Sequence, residues 1–192
     1  MKKVAGVDEV GRGSLVGPVY AAAVIFKSRV KKKNILDSKK LNKNQREKLL
    51  KYIKKNSFWA VASASLKEIE KKNILNASLL AMKRAVHKLR LKPNLVLVDG
   101  NKIPVLKNYR VKAIIKGDQK IKEISAASII AKVSRDKFID KLSRKFTNYK
   151  WNSNAGYGTS EHLKAIKKYG VTKFHRKTFK PIHKILSPQK NK

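Results

Sequence analysis

Cysteine is absent from the 192-residue chain, which excludes disulfides, thiolate nucleophiles and any zinc site built on cysteine. Long apolar runs are absent too. No stretch approaches the ~18 residues that a membrane helix needs. Met1-Lys2-Lys3 is followed by only a few apolar residues before Asp8-Glu9, so no signal peptide is expected. A cytoplasmic location with no membrane partner is the expectation. Acids are scarce: 12 Asp and Glu stand against 48 Lys and Arg, a formal net charge of +36.

What is present suits one ordinary domain. The chain is long enough to bury a core, and 42% apolar with 31% charged residues is a globular composition. The positive charge comes in blocks: residues 27–55 carry 13 basic and two acidic residues, and 141–192 carry 14 basic and one acidic. Such a chain repels itself unless a polyanion compensates it, and nucleic acid is the natural partner. Charge alone does not separate an enzyme from a non-catalytic binder. A lysine-rich solvated surface would give the same count.

Periodicity lays out the elements. Lys3 to Glu9 reads as a short strand ending in two acids, and Gly11-Arg12-Gly13 with Gly17-Pro18 as a glycine-rich loop. Val19 to Phe26 reads as a second strand, Asn42 to Lys55 as a helix capped by Asn42, and Phe58 to Leu66 as a strand. Ser65 and Glu68 match a capping box. Helices are expected over Asn76 to Leu89, Ile124 to Lys145 and Ser160 to Tyr169, the last stopped by Gly170. Leu95 to Val98 and Val111 to Ile115 are short apolar runs suited to strands. Strands interleaved with helices imply an α/β or α+β sheet domain.

The few acids are placed informatively. Asp8, Asp99 and Asp118 each follow an apolar run, and Glu9 sits beside the first. Strands of one sheet would bring such ends together at the edge where α/β folds place sites. Converging carboxylates repel, and a divalent cation relieves that repulsion. Oxygen donors without His or Cys point to Mg²⁺ or Mn²⁺. Two such ions about 3.5–4 Å apart can cut a phosphodiester. A lone strand-end Asp more often caps a strand or pairs with Lys; four together in so acid-poor a chain favour the metal. Adjacent strand residues face opposite ways, so Asp8 and Glu9 share a site only if the strand ends or bulges there.

These residues resemble ribonuclease HII, the type 2 ribonuclease H, over nearly the whole chain. The resemblance rests on Gly6-Val7-Asp8-Glu9-Val10-Gly11-Arg12-Gly13, Leu36-Asp37-Ser38-Lys39-Lys40-Leu41, Asn73 to Ser78, Val98-Asp99-Gly100-Asn101 and Lys116-Gly117-Asp118. It continues through Ser125 to Asp136, Gly156-Tyr157-Gly158-Thr159 and His175-Arg176. It implies an RNase H-like fold, a mixed central sheet flanked by helices with a helical C-terminal part. It also implies one catalytic domain over 1–186, a basic polar tail at 187–192, and a monomer.

The implied activity is endonucleolytic cleavage of the RNA strand in RNA–DNA hybrids, including single ribonucleotides in duplex DNA, leaving 5′-phosphate and 3′-hydroxyl ends. The family's metal-binding acids fall on Asp8, Glu9, Asp99 and Asp118, with two Mg²⁺ or Mn²⁺ ions during catalysis. Its loop that meets the ribonucleotide 2′-hydroxyl falls on Gly11, Arg12 and Gly13, and its junction-stacking tyrosine on Tyr157. Lys39, Lys40, His175 and Arg176 are candidates for phosphate contact, and Asp136 reads as a helix-surface or ion-pair residue. Ala155, Ser78, Lys177 and Thr178 depart from the family's common strings without touching the acids. The competing readings are a non-catalytic basic nucleic-acid-binding protein and a DNA nuclease of the same superfold.

Overall fold

The computed structural model of the chain describes residues 3–28, 30, 35 and 43–187, the Lys43 side chain excepted. Lys39, Lys40, the string 36–41 that contains them, the Asn42 cap and the tail from 188 lie outside the described residues.

Five strands form one mixed sheet. They are β1 (Val4–Val10), β2 (Val19–Phe26), β3 (Ser57–Ala64), β4 (Leu95–Asp99) and β5 (Val111–Ile114), in the order β3-β2-β1-β4-β5. β1, β2 and β3 pair antiparallel, whereas β4 runs parallel to β1 and β5 parallel to β4. The C-terminal ends of β1, β4 and β5 therefore lie along one edge. β2 is buried on both faces, which is why its sequence is a continuous apolar run and not an alternation.

Helices cover both faces: α1 (Lys43–Lys55), α2 (Leu66–His87), α3 (Gly117–Lys120) and α4 (Lys122–Ser143). Ala77, Ala81, Met82 and Val86 of α2 pack with Val7, Ala21, Ala23 and Val98 on one face. Ala126, Ala127, Ile130 and Ala131 of α4 join Ala22, Val24 and Ile53 on the other. The helical C-terminal part contains α5 (Trp151–Asn154), α6 (Ser160–Tyr169) and α7 (Lys180–Leu186). It has its own core of Leu15, Val16, Ile139, Leu142, Trp151, Ile166 and Ile182, so α4 belongs to two cores.

Three departures from the sequence reading have local causes. α2 starts at its capping box, where Ser65 Oγ accepts from Glu68 N at 3.3 Å and Glu68 Oε2 accepts from Ser65 N at 2.9 Å. Asn73 (φ 64°) then breaks it, and its Oδ1 restarts the helix by accepting from Asn76 N at 3.0 Å. The helix expected from Asn76 is thus the second half of α2. β1 does not end at its acids: Asp8 pairs with Ala22, Glu9 with Ala21 and Val10 with Tyr20 in a regular ladder. Asp118 lies in α3, one turn past β5, because Lys116 takes the left-handed conformation (φ 54°) and ends the strand.

Gly6 sets the spacing between sheet and helix. A Cβ there would overlap the backbone of Glu123 and Ile124 in the first turn of α4. Gly6→Ala should therefore lower the free energy of unfolding in urea by at least ~1–3 kcal/mol, the ordinary cost of overpacking. A neutral effect would contradict this close approach.

Candidate active site

Asp8, Glu9, Asp99 and Asp118 line one cleft of about 390 Å³, together with Val10, Arg46, Ser128, Ile129 and Lys132. Asp8 and Glu9 reach it without a bulge because the parallel pairing of β1 with β4 stops at Val7 and Val98. Beyond that register β1 has a free edge, which side chains from both faces can border. Asp99 ends β4, and its Oδ1 accepts from Gly117 N at 2.7 Å and Asp118 N at 3.4 Å. Asp99 thus fastens the turn that carries Asp118.

Burial raises the Asp8 carboxyl well above the usual range, and repulsion from Glu9 and Asp99 adds to it. A hydrogen bond from Ser128 and one from Glu9 N at 2.7 Å oppose the rise. Burial also raises Glu9, although Arg12, 3.4 Å from its Oε1, pulls it back. Among the described residues, no three acid or His side chains stand close enough together to form a ready metal cage. Asp99 faces the α3 amides and Glu9 faces Arg12 instead. The donor chemistry fits a hard divalent cation even so: the cleft supplies four carboxylates, no imidazole, and a carboxylate repulsion that a cation would offset.

Beside the cleft, Gly11 (φ 92°) opens a turn closed by Ser14 N donating to Gly11 O at 3.3 Å. Arg12 and Gly13 are exposed at its tip. Ser14 bridges to Tyr157, whose ring Cε1 lies 3.9 Å from where a Gly13 Cβ would stand. The structure therefore brings the glycine-rich turn and Tyr157 together. Sequence reasoning missed what lies beneath them. Arg135, 0% exposed, donates from Nη2 to Ser14 Oγ at 2.7 Å and Ala155 O at 2.8 Å, with its guanidinium 5.2 Å from the Tyr157 ring centre. Ser128 and Lys132 were also missed, although their i, i+4 spacing on α4 is a readable signal. Asp136 pairs with Lys132 at 2.8 Å, as an ion-pair residue should.

The reading of His175 and Arg176 as phosphate contacts requires correction, because both are inside the protein at 1% and 0% exposure. Arg176 donates from Nε to Gly17 O at 2.9 Å and from Nη1 to Arg12 O at 2.8 Å. Burial, then the charge of Arg135, pushes its guanidinium down to about 9. His175 Nδ1 accepts from Thr172 N at 2.9 Å, leaving its Nε2–H to face His162 Nε2 at 3.3 Å. That same His162 nitrogen accepts from Trp151 Nε1 at 2.9 Å, and its Nδ1–H donates to Tyr157 O at 2.8 Å. The chain of bonds ties the aromatic core to the backbone of Tyr157.

A five-stranded mixed sheet with a carboxylate-lined cleft at the shared strand ends is the RNase H fold. The ribonuclease H2 from Pyrococcus horikoshii OT3 has it too, with a TM-score of 0.80 and 29% identity over 95% of this chain and 96% of that one. The family model of ribonuclease HII matches residues 5–182, and the chain belongs to that family, the hydrolytic endoribonucleases of the ribonuclease H class. A ribonuclease HII of Pelagibacter ubique is 69% identical over 97% of this chain and all of that protein. One of Borreliella burgdorferi is 53% identical over 93% of this chain and 99% of that protein. Among the described residues no helix is long and apolar enough to cross a membrane.

The imidazole network makes a pH prediction. Burial, then the neighbouring His162, lowers His175 to about 4, so below pH ~6.5 the unfolded chain takes up a proton that the folded one refuses. Stability should fall as pH drops from ~6.5 towards 4, by up to ~3 kcal/mol from this group. Asp8 and Glu9, raised in the fold, act in the opposite sense, since acid relieves their repulsion. Nitrogen NMR of the imidazoles isolates the His175 contribution: the ring should remain neutral at pH 5.5. Protonation near its ordinary value would contradict the network.

Proposed function

We propose that the chain hydrolyses the RNA strand of RNA–DNA hybrids and cuts at single ribonucleotides embedded in duplex DNA. The observation that carries this is one of adjacency. Four carboxylates line a cleft, and an exposed glycine-rich turn with a tyrosine ring against it stands beside them. In this reading one domain, residues 1–186, acts as a monomer, with cleft and turn complete within a single chain.

Asp8, Glu9, Asp99 and Asp118 would hold two divalent cations, Mg²⁺ or Mn²⁺. Bound there, such ions supply Lewis acidity at the phosphate and a water acidic enough to attack at neutral pH. Asp8, the most buried, is held in orientation by Ser128 and by the Glu9 amide. Lys132 and Arg46 border the same cleft and would offset phosphate charge there. The exposed amides of the Arg12–Gly13 turn meet the 2′-hydroxyl, which is the group that separates RNA from DNA. Tyr157 offers its face to the next sugar. The water oxygen bonds to phosphorus, the P–O3′ bond breaks and the leaving oxygen takes a proton, giving 3′-hydroxyl and 5′-phosphate ends. The basic blocks hold the duplex by phosphate contact, and Lys39 and Lys40 belong to one of them.

Duplex DNA carrying one ribonucleotide should be cut once, at that nucleotide, with Mg²⁺ or Mn²⁺ and not with chelator. Cutting of all-DNA duplex would favour a DNA nuclease, and binding without cutting a non-catalytic binder. Asp8→Asn should lower turnover by several orders of magnitude while hybrid binding persists. In chelator the same variant should unfold at higher urea, because a buried repelling charge is gone. Full activity of Asp8→Asn would overturn the assignment. Tyr157→Ala should slow junction cleavage by at least tenfold and Tyr157→Phe much less, since stacking needs only the ring.

A further inference from the structure

Arg135 and Arg176 are fully buried arginines, and among the described residues neither forms an ion pair. Three of their nitrogens, Arg135 Nε and Nη1 and Arg176 Nη2, are buried without any hydrogen-bond partner. Keeping a cation inside without a carboxylate costs several kcal/mol even after relaxation. Such a group persists where its geometry does something that a neutral donor cannot.

Residue 176 holds the Gly11–Gly17 loop at three carbonyls. Its guanidinium binds Arg12 O at 2.8 Å and Gly17 O at 2.9 Å, and its backbone N–H binds Leu15 O at 2.8 Å. The rigid fork spans both ends of the loop, and the Phe179 ring centre lies 5.0 Å from the guanidinium carbon. The consequence lies one bond further on. In a trans peptide the C=O and the N–H of the same unit point in opposite directions. With Arg12 O drawn inward, the Gly13 N–H is aimed outward. Among the described residues that N–H has no acceptor, and Gly13 is exposed beside the Tyr157 ring. A charged donor on the carbonyl also polarises the peptide and strengthens its N–H as a donor.

We propose that Arg176 is a positioning residue for ribonucleotide recognition: from inside the protein it aims and polarises the Gly13 N–H for the ribose 2′-hydroxyl. This deepens the reading of the Gly11–Gly13 turn as the ribose reader and rests on it. Arg176 touches no substrate. Arg135 supports the other wall by fixing Ser14 under the same turn.

The test compares affinity for a duplex with one ribonucleotide and for the all-DNA duplex of the same sequence, in chelator so that nothing is cut. Wild type should prefer the ribonucleotide. Arg176→Gln should lower that preference at least tenfold while all-DNA binding stays within twofold, and Arg176→Lys should fall between. A structural role alone would weaken both duplexes together, and that outcome overturns the proposal. An unchanged preference in a folded variant overturns the Arg176 assignment and leaves the turn's role standing. A wild type with no preference overturns the turn's role and the proposal with it. Should neither variant fold, NMR of wild type decides. The Gly13 amide and Arg176 Nη signals should shift with the ribonucleotide duplex and not with all-DNA duplex; equal shifts with both overturn the proposal.

Discussion

The close approach of α4 to β1 at Gly6 governs the rest of the molecule. The first turn of the helix lies so near the strand that no side chain fits between them. Alanines 126, 127 and 131 continue that contact across the sheet. A helix laid this tightly carries Ser128 and Lys132 to the carboxylate cleft, and Arg135 beneath the glycine-rich turn. Its last turns then reach into the C-terminal core through Ile139 and Leu142. One rigid element therefore connects the acids, the turn and the helices that hold Tyr157. A shift of α4 would move all three.

Electrostatic cost is concentrated where chemistry needs it. The acid-poor chain places four of its twelve acids around one cleft, and burial works against the charge of two of them. A few residues away, two arginines are buried without carboxylates. Both arrangements would be relieved by exchange with the other, yet the structure keeps them apart. The acids face the cleft, Arg176 faces backbone carbonyls of the loop, and Arg135 faces Ser14 Oγ and Ala155 O. Among the described residues no ion pair joins a cleft acid to either buried arginine; Glu9 instead meets the exposed Arg12 at 3.4 Å. Such uncompensated groups are expected at functional sites, where local stability is exchanged for pre-organisation.

Much of this was legible in the chain. The capping box at Ser65 and Glu68, the α6 start at Ser160 and the apolar run of β2 are signals that depend on neighbours a few residues away. The gathering of Asp8, Glu9, Asp99 and Asp118 was legible because each closes an apolar run, and parallel strands share an edge. Other features needed distant partners. The αL residue Lys116 turns Asp118 into α3, and nothing in lysine announces a positive φ. His175-Arg176 looked like a surface pair because basic residues are mostly exposed. Its burial depends on Gly17 and Arg12, more than 150 positions away.

By itself the sequence determined the number and order of the strands and of the longer helices, a charge suited to a polyanion and the four acids that follow apolar runs, because periodicity, charge and residue type are local properties. The short helices α3, α5 and α7 were not legible in it. Tertiary structure alone decided that β1 continues past Asp8 and Glu9 while β4 parts from it, so that both carboxylates border one cleft. It likewise decided that Arg176 points inward and Gly13 N–H outward. Those are consequences of which chain segment happens to offer a free edge or a free carbonyl. Hydrogen-bond satisfaction inside a packed protein is settled between segments far apart in the chain, and no local pattern encodes it.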